Sequence, residues 1–224
     1  MNAISLSLWG DDPKYCMGSI RNAEIAKLIY PGWVVVVYAD LTVPEDVTLK
    51  LVKLGVELRK PPCSNGMFWR YFTAFGGFEH VIFRDTDSRL NERESLAVVE
   101  WIESGRLAHI IADHPHHTPL IGGGMWGIKP TLASMLKLID CPMAKLENDR
   151  NKSYNSDQIW LRDSIWPLIK NDVLIHDLCY HSRRPGAKPF PSKFGDNRFV
   201  GEVFDANDKP RSFDWEMRMN YQEA

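Results

Sequence analysis

The chain has 224 residues, 44% hydrophobic and 25% charged, with 15 glycines and 14 prolines. That is globular composition, enough for one well-buried domain and too short for two ordinary catalytic domains, and it excludes a disordered, collagen-like or coiled-coil chain. With 27 basic and 29 acidic residues the formal net charge is -2, which excludes a general affinity for phosphate backbones or a polybasic membrane role, so no nucleic acid partner is expected.

Residues 4–9 alternate apolar and polar before Gly10-Asp11-Asp12-Pro13 and read as a strand ending in a turn. Ser19 is the expected N-cap of a helix carrying Ile20, Ala23, Ile25, Ala26, Leu28 and Ile29, stopped by Pro31-Gly32. The continuous β-branched run from Val34 to Ala39, ending at Asp40, has the character of a parallel strand covered on both faces. Residues 44–54 are helical in pattern and 55–58 form a short third strand. A βαβαβ rhythm implies a mainly parallel sheet flanked by helices, with ligands outside the carboxyl ends of its strands.

After Pro61-Pro62, residues 67–78 carry an apolar stripe at 68, 71, 72, 75 and 78, with Trp69 and Arg70 off it. A buried strand at 80–83 runs into Arg84-Asp85-Thr86-Asp87-Ser88, a charged strand end expected outside the core. Residues 92–104 predict a helix buried through Leu96, Val99, Trp101 and Ile102, and 108–112 a strand. A loop follows at 113–124, then a strand at 125–129 and helices at 132–139 and 156–169. From Pro185 onward Pro, Gly, Lys, Asp and Asn dominate, so a single domain is expected over 1–224, with 185–224 a tail packed over it.

Asp85-Thr86-Asp87 is the sharpest chemical signal. Two carboxylates one residue apart at a strand's carboxyl end can hold a hard divalent cation that a diphosphate also holds; the same pattern also occurs as a solvated turn. Residues 113–117, DHPHH, have zinc-ligand types but lack a defined spacing and a further ligand. The P-loop, G-x-S-x-G and H-E-x-x-H motifs are all missing from the sequence.

The order βαβαβ, a helix bearing Arg70 in MFWRYF, then VIFRDTDSRL resembles the GT-A class of nucleotide-sugar-dependent glycosyltransferases over about residues 3–190. The DHPHH segment and the GGMWG run are similar to bacterial and phage capsular or surface-polysaccharide transferases and, more distantly, to the glycogenin-like branch. The resemblance implies a single Rossmann-like GT-A domain that moves a sugar from a nucleotide diphosphate sugar, a UDP-sugar first among them, to a glycan or other hydroxyl acceptor with Mn²⁺ or Mg²⁺. It implies that Leu8, Trp9, Gly10 and Asp40 hold base and ribose, that Arg70 and Thr86 serve the nucleotide, and that Asp87 binds metal with Asp85 as its partner. His181 is the implied third ligand, in competition with His176. Lys188 would meet the diphosphate with Arg183 and Arg184 nearby, although His181, Gly186, Lys188, Pro189 and Phe190 keep the family's order and not its spacing. Asp113, His114 and Asp157 would meet the sugar as the catalytic polar groups, with Gln158 beside Asp157 in a retaining-type pair. Gly123 and Gly124 would let backbone approach the sugar, with Trp126 stacked on it; Trp69, Trp101 and Trp215 are further stacking candidates.

Alternatives are a nucleotidyltransferase, although LWGDDPKYCMG lacks the glycine-rich loop that fold places after its first strand, a non-catalytic nucleotide-sugar or glycan-binding protein, and a zinc hydrolase using the histidine loop. Cys16, Cys63, Cys141 and Cys179 make no C-x-x-C pair and are expected as free thiols. No run approaches the roughly 18 to 20 apolar residues of a membrane span, and residues 1–12 lack a basic leader, so a cytoplasmic location is expected, with peripheral membrane contact through the basic segment 183–193.

Overall fold

The structure is a computed structural model that describes residues 1–131, 155–179, 183–192 and 199–211. The chain alternates strands and helices: β1 (Ala3–Leu8), α1 (Pro13–Ile29), β2 (Val34–Ala39), α2 (Glu45–Lys53), β3 (Glu57–Arg59), α3 (Gly66–Trp69), β4 (Val81–Phe83), α4 (Glu92–Ser104), β5 (Ala108–Ala112) and β6 (Trp126–Ile128). Helix α5 (Ser156–Trp160), a π-helical turn at Leu161–Ile165, α6 (Trp166–Ile169) and β7 (Val173–Asp177) follow. The seven strands form one sheet in the order β3-β2-β1-β4-β6-β5-β7. All neighbouring pairs are parallel except those of β6, which runs antiparallel to β4 and to β5. This is a mainly parallel α/β architecture with helices on both faces.

The pleat divides the core. Ile4, Leu6, Val35, Val37 and Ile82 face Ile20 and Ala23 of α1, Leu51 of α2, and Val98 and Trp101 of α4. On the opposite face Val36, Tyr38, Phe83 and Trp126 meet Phe68, Trp69 and Tyr71, together with Trp160, Leu161 and Ile165. Every residue of β1 is buried, its serines included. Ser5 Oγ donates to the Arg70 carbonyl at 2.8 Å and Ser7 Oγ accepts from Arg70 N–H at 3.0 Å, so the alternation that reads as half-exposed is a polar seam satisfied by the next layer.

Several expectations are corrected. Helix α1 begins at Pro13, not after Ser19: Asp12 Oδ1 accepts from Lys14 N–H at 2.9 Å and Pro13 occupies the first helical turn. Ser19 lies buried inside the helix, bonded to the Cys16 carbonyl. Residues 67–78 are not one α-helix. After α3 the chain tightens into a 3₁₀ segment, Arg70–Phe75, and Trp69 at the end of α3 and Arg70 at the start of this segment are both buried. Arg84, Thr86 and Ser88 are buried as well: Arg84 pairs with Glu94 at 2.8 Å and donates to the carbonyls of Phe83 and Trp126. Leu96 and Val99, expected on the buried face of α4, are exposed. Strand β7 is an element the sequence pattern hides, because its run ends in His176 and Asp177. The expected helix at 132–139 lies outside the described residues.

The described C-terminal residues lie along the acidic strand end. Ser88 and Val203 form an antiparallel bridge, Phe204 N–H donates to the Asp87 carbonyl at 2.8 Å, and Asp208 accepts from Arg89 at 2.7 Å. Among the described residues no helix is long and apolar enough to cross a membrane, and Cys16, Cys63 and Cys179 are free thiols.

Candidate active site

A cavity of about 350 Å³ opens at the carboxyl ends of β1 and β4, walled by Leu8, Trp9, Tyr15, Met67, Asn155 and the acidic strand end. A second chamber of about 190 Å³ shares Asp85, Asp87, Gly123 and Gln158 with the first and is completed by His116, His117, Met125, Arg184 and Gly201. The two make one cleft with the acids at the junction.

Arg70 organises that junction. One end of its guanidinium pairs with Asp85 and donates to the Arg84 carbonyl at 3.2 Å; the other donates to Asp157 Oδ2 at 3.1 Å. Burial pulls against the charge, and Asp85 chief among its neighbours more than reverses that pull, so the guanidinium stays protonated. Asp157 is held from the other side by the Tyr71 hydroxyl at 3.1 Å, and its Oδ1 accepts from Gln158 N–H at 2.9 Å. Burial first, then Asp157, pushes the Tyr71 phenol well above its ordinary value, so it remains a donor.

Glycine is required opposite these acids. A Cβ at Gly123 would run into the Asp157 carboxylate and Arg70, and one at Gly124 into Asp85. The glycine loop therefore lies directly on the acids, and the Tyr71 hydroxyl is 3.1 Å from the Gly123 carbonyl. Asp87 pairs with Lys14 Nζ at 2.7 Å, and that ammonium also sits 4.8 Å from the Tyr15 ring centre.

Of the residues singled out from sequence, Leu8, Trp9, Arg70, Asp85, Thr86, Asp87, Gly123, Asp157 and Gln158 line the first chamber, and Gly124 and Arg184 the second. Trp9 is 47% exposed and packs edge-on against Trp69. Gly10 and Asp40 do not line either chamber; Asp40 and Gly10 both bond Thr42, tying the loops after β1 and β2 together.

Other candidates have structural work instead. Asp113 is fully buried, bonded to Arg93 at 2.8 and 3.1 Å and to Val200 N–H at 3.0 Å. His114 stacks on Phe199 at 4.8 Å, and its Nδ1 accepts from His116 N–H. Neither lines the cleft, because the loop after β5 folds back onto the C-terminal segment. Lys188 pairs with Glu100 on α4, and His176 is buried between His109 at 2.8 Å and Glu100 at 3.1 Å, so it is removed as a metal ligand. Arg183 and Arg184 turn inward: Arg183 donates to the carbonyls of His114, Pro115 and His117, and Arg184 to those of His117 and Pro119. Trp126 is core, 4.6 Å from the Phe83 ring, and Trp69 and Trp101 are buried too, so none of the three offers a free stacking face. His181 and Trp215 lie outside the described residues. Among the described residues no group of three or more His, Cys, Asp or Glu side chains is placed to hold a metal.

Sequence reading missed Lys14, Tyr15, Met67, Tyr71 and Gly201. Lys14 and Tyr15 precede the expected N-cap at Ser19 and so read as loop, and Tyr71 reads as an ordinary member of an apolar stripe.

No protein-family model and no curated protein matches the chain. Solved structures similar to it include a glycosyltransferase involved in glycosylation of the major capsid of PBCV-1, 13% identical, covering 79% of this chain and 81% of that one with a TM-score of 0.49. Galactosyltransferase LgtC in complex with donor and acceptor sugar analogues is 12% identical over 79% of this chain and 73% of its own, also at 0.49. A mannosyltransferase from Pyrobaculum calidifontis in complex with GDP-Man and Mn²⁺ is 12% identical over 81% and 58%, at 0.48.

Proposed function

We propose that this chain is a GT-A type glycosyltransferase that moves a sugar from a nucleotide diphosphate sugar, with UDP-sugars the first donors to test, to an acceptor hydroxyl in surface-polysaccharide synthesis. The observation that carries the reading is the Arg70 bridge between Asp85 and Asp157, set under a glycine loop in a two-chambered cleft at the strands' carboxyl ends. Ligands of open α/β sheets bind at that edge.

Asp85 and Asp87 are hard oxygen donors on one wall of the cleft. They suit Mn²⁺ or Mg²⁺, which take one or two carboxylates and fill their remaining positions from phosphates and water. When bound, such a cation supplies positive charge to the leaving diphosphate. Trp9 and Tyr15 give the first chamber aromatic walls for a nucleoside, and Arg70 lends a fixed positive charge next to the phosphates.

In the transfer the bond from anomeric carbon to phosphate oxygen breaks, with its electron pair leaving on the nucleoside diphosphate. A new carbon–oxygen bond forms to the acceptor, whose hydroxyl proton passes to the departing phosphate oxygen. Asp157 Oδ2 already accepts from both Arg70 and Tyr71, which fixes its carboxylate as an oriented negative charge for an electron-poor anomeric carbon. Gln158, common to both chambers, is positioned to bond the sugar's hydroxyls. Asp113 and His114 support the loop from behind.

Thermal unfolding with UDP, GDP, ADP and CMP, each with and without Mn²⁺, on the native chain and Asp87→Ala tests this. A Mn²⁺-dependent rise in Tm with one nucleotide, absent in the variant, is expected; saturation at a hundredfold over Kd adds about 2.7 kcal/mol. No rise with any of them overturns the reading.

A further inference from the structure

We propose that Lys14 is a tethered counter-cation: its ammonium holds Asp87 while the cleft is empty, and passes to the diphosphate when a divalent cation takes that carboxylate. The inference rests on the cleft being a nucleotide-diphosphate site and assigns a positioning residue to it.

Lys14 stands in the first turn of α1, a 17-residue helix with no acidic residue there. A cation at that end opposes the helix dipole, so the helix gains nothing from the charge. The partner that repays it is across the cleft: Asp87 Oδ2 at 2.7 Å, the two side chains 29% and 18% exposed. The backbone beneath Lys14 is fixed by the Asp12 cap, which leaves the movement to its side chain.

The other acid of the pair is neutralised differently. Asp85 is paired with Arg70, whose guanidinium is buried and anchored to Asp157 and the Arg84 carbonyl. That cation cannot leave without exposing a buried charge. Lys14 ends in a compact charge with rotatable donors on a flexible four-carbon stem, and it lies at the cleft rim beside Tyr15. One acid thus has a permanent counter-ion and the other a removable one.

The charge balance gives the arrangement its consequence. Asp85, Asp87 and Asp157 face Arg70 and Lys14. A divalent cation arriving with a doubly charged diphosphate leaves this balance unchanged, and the displaced ammonium has an anion to receive it. A cation arriving alone must expel Lys14 into solvent without compensation. Lys14 therefore disfavours metal without nucleotide and favours the two together.

The test is a Mn²⁺ titration followed by the electron paramagnetic resonance signal of free Mn²⁺, on the native chain, Lys14→Met, Lys14→Gln, Lys14→Arg and Asp87→Asn, each alone and with UDP, GDP or ADP. Circular dichroism first establishes which variants are folded. Lys14→Met and Lys14→Gln should bind Mn²⁺ alone about 1.5- to fivefold more tightly, the range for losing one partly exposed ion pair, and should lose most of the gain in affinity that nucleotide confers; Lys14→Arg should behave as native. Equal Mn²⁺ affinities in native and Lys14 variants, with the nucleotide effect intact and Asp87→Asn impaired, overturn the role of Lys14 and leave the proposed function standing. No Mn²⁺ binding by the native chain with any nucleotide overturns both.

Discussion

Arg70 is the residue on which the cleft turns, since it is buried and pairs with carboxylates on two separate stretches of chain. Replacing it by methionine keeps the length and removes the charge, leaving Asp157 buried without its cation. Breaking one side of a buried pair costs about 3–5 kcal/mol, so Arg70→Met should lower Tm by many degrees and abolish sugar transfer. Arg70→Lys should recover part of the stability and little activity, because one ammonium cannot span Asp85 and Asp157; thermal unfolding with a transfer assay separates the two. Residue chemistry also explains what the sequence discloses. Asp85, Asp87, Arg70 and Asp157 are legible because their types in that order announce phosphate and metal chemistry. Asp113 and His114 carry equally suggestive side chains, yet they brace Arg93, Val200 and Phe199. Whether a polar loop faces the ligand or the C-terminal segment depends on long-range packing that local pattern does not encode.

Helix α1 shows the same division among elements. Glycine inside a helix costs about 1 kcal/mol against alanine, and Gly18 is there because a Cβ would strike the Thr86 carbonyl. The helix lies directly against the acidic strand end, which sets where Lys14 can reach. Gly18→Ala should therefore lose about 1–3 kcal/mol by overpacking in spite of better helix propensity, and weaken Mn²⁺-dependent nucleotide binding as Thr86 is pushed; urea unfolding and calorimetry check both. The bounds of β2, α4 and β5 are legible to the residue, although the buried face of α4 is not, since Leu96 and Val99 turn to solvent. The 3₁₀ segment after α3 and strand β7 are not, since the first exchanges one helical period for another and the second buries a histidine and an aspartate.

For the whole molecule, stability has a pH dependence written into the far side of the sheet. His109 and His176 are both fully buried and bonded to each other at 2.8 Å. Burial first, then His176 and Arg84, holds His109 well below its ordinary value of 6.5; burial and then Arg93 bring His176 down to about 4. The folded chain refuses protons that the unfolded chain accepts below 6.5, so this stability is whole above that pH and is lost as pH falls from 6.5 towards 4. By pH 5 the loss from His176 is about 2 kcal/mol, and His109 adds to it in the same direction. Tm should fall between pH 7 and 5, ahead of carboxylate titration, and His176→Gln should flatten that fall by about half; a Tm unchanged over this interval contradicts the assignment. The mainly parallel sheet itself is legible from the βαβαβ rhythm, whereas the reversed β6 is not, because three apolar residues carry no direction.

That reversed strand acts as a ruler. Gly127 faces Ile82 in the pairing of β6 with β4, and a Cβ there would come within 3.0 Å of Ile82, Trp101 and the Val81 carbonyl. A slide by one residue would push Trp126 or Ile128 into a space cut for hydrogen, so only one alignment is admitted. Gly123 and Gly124 travel on the same segment, and each slide would drag them about 3.3 Å along the acids. The spacing between loop and acids is thus calibrated in the sheet interior, away from any ligand. Substitutions at Trp9, Tyr15 or Gln158 on the cavity wall leave that calibration untouched.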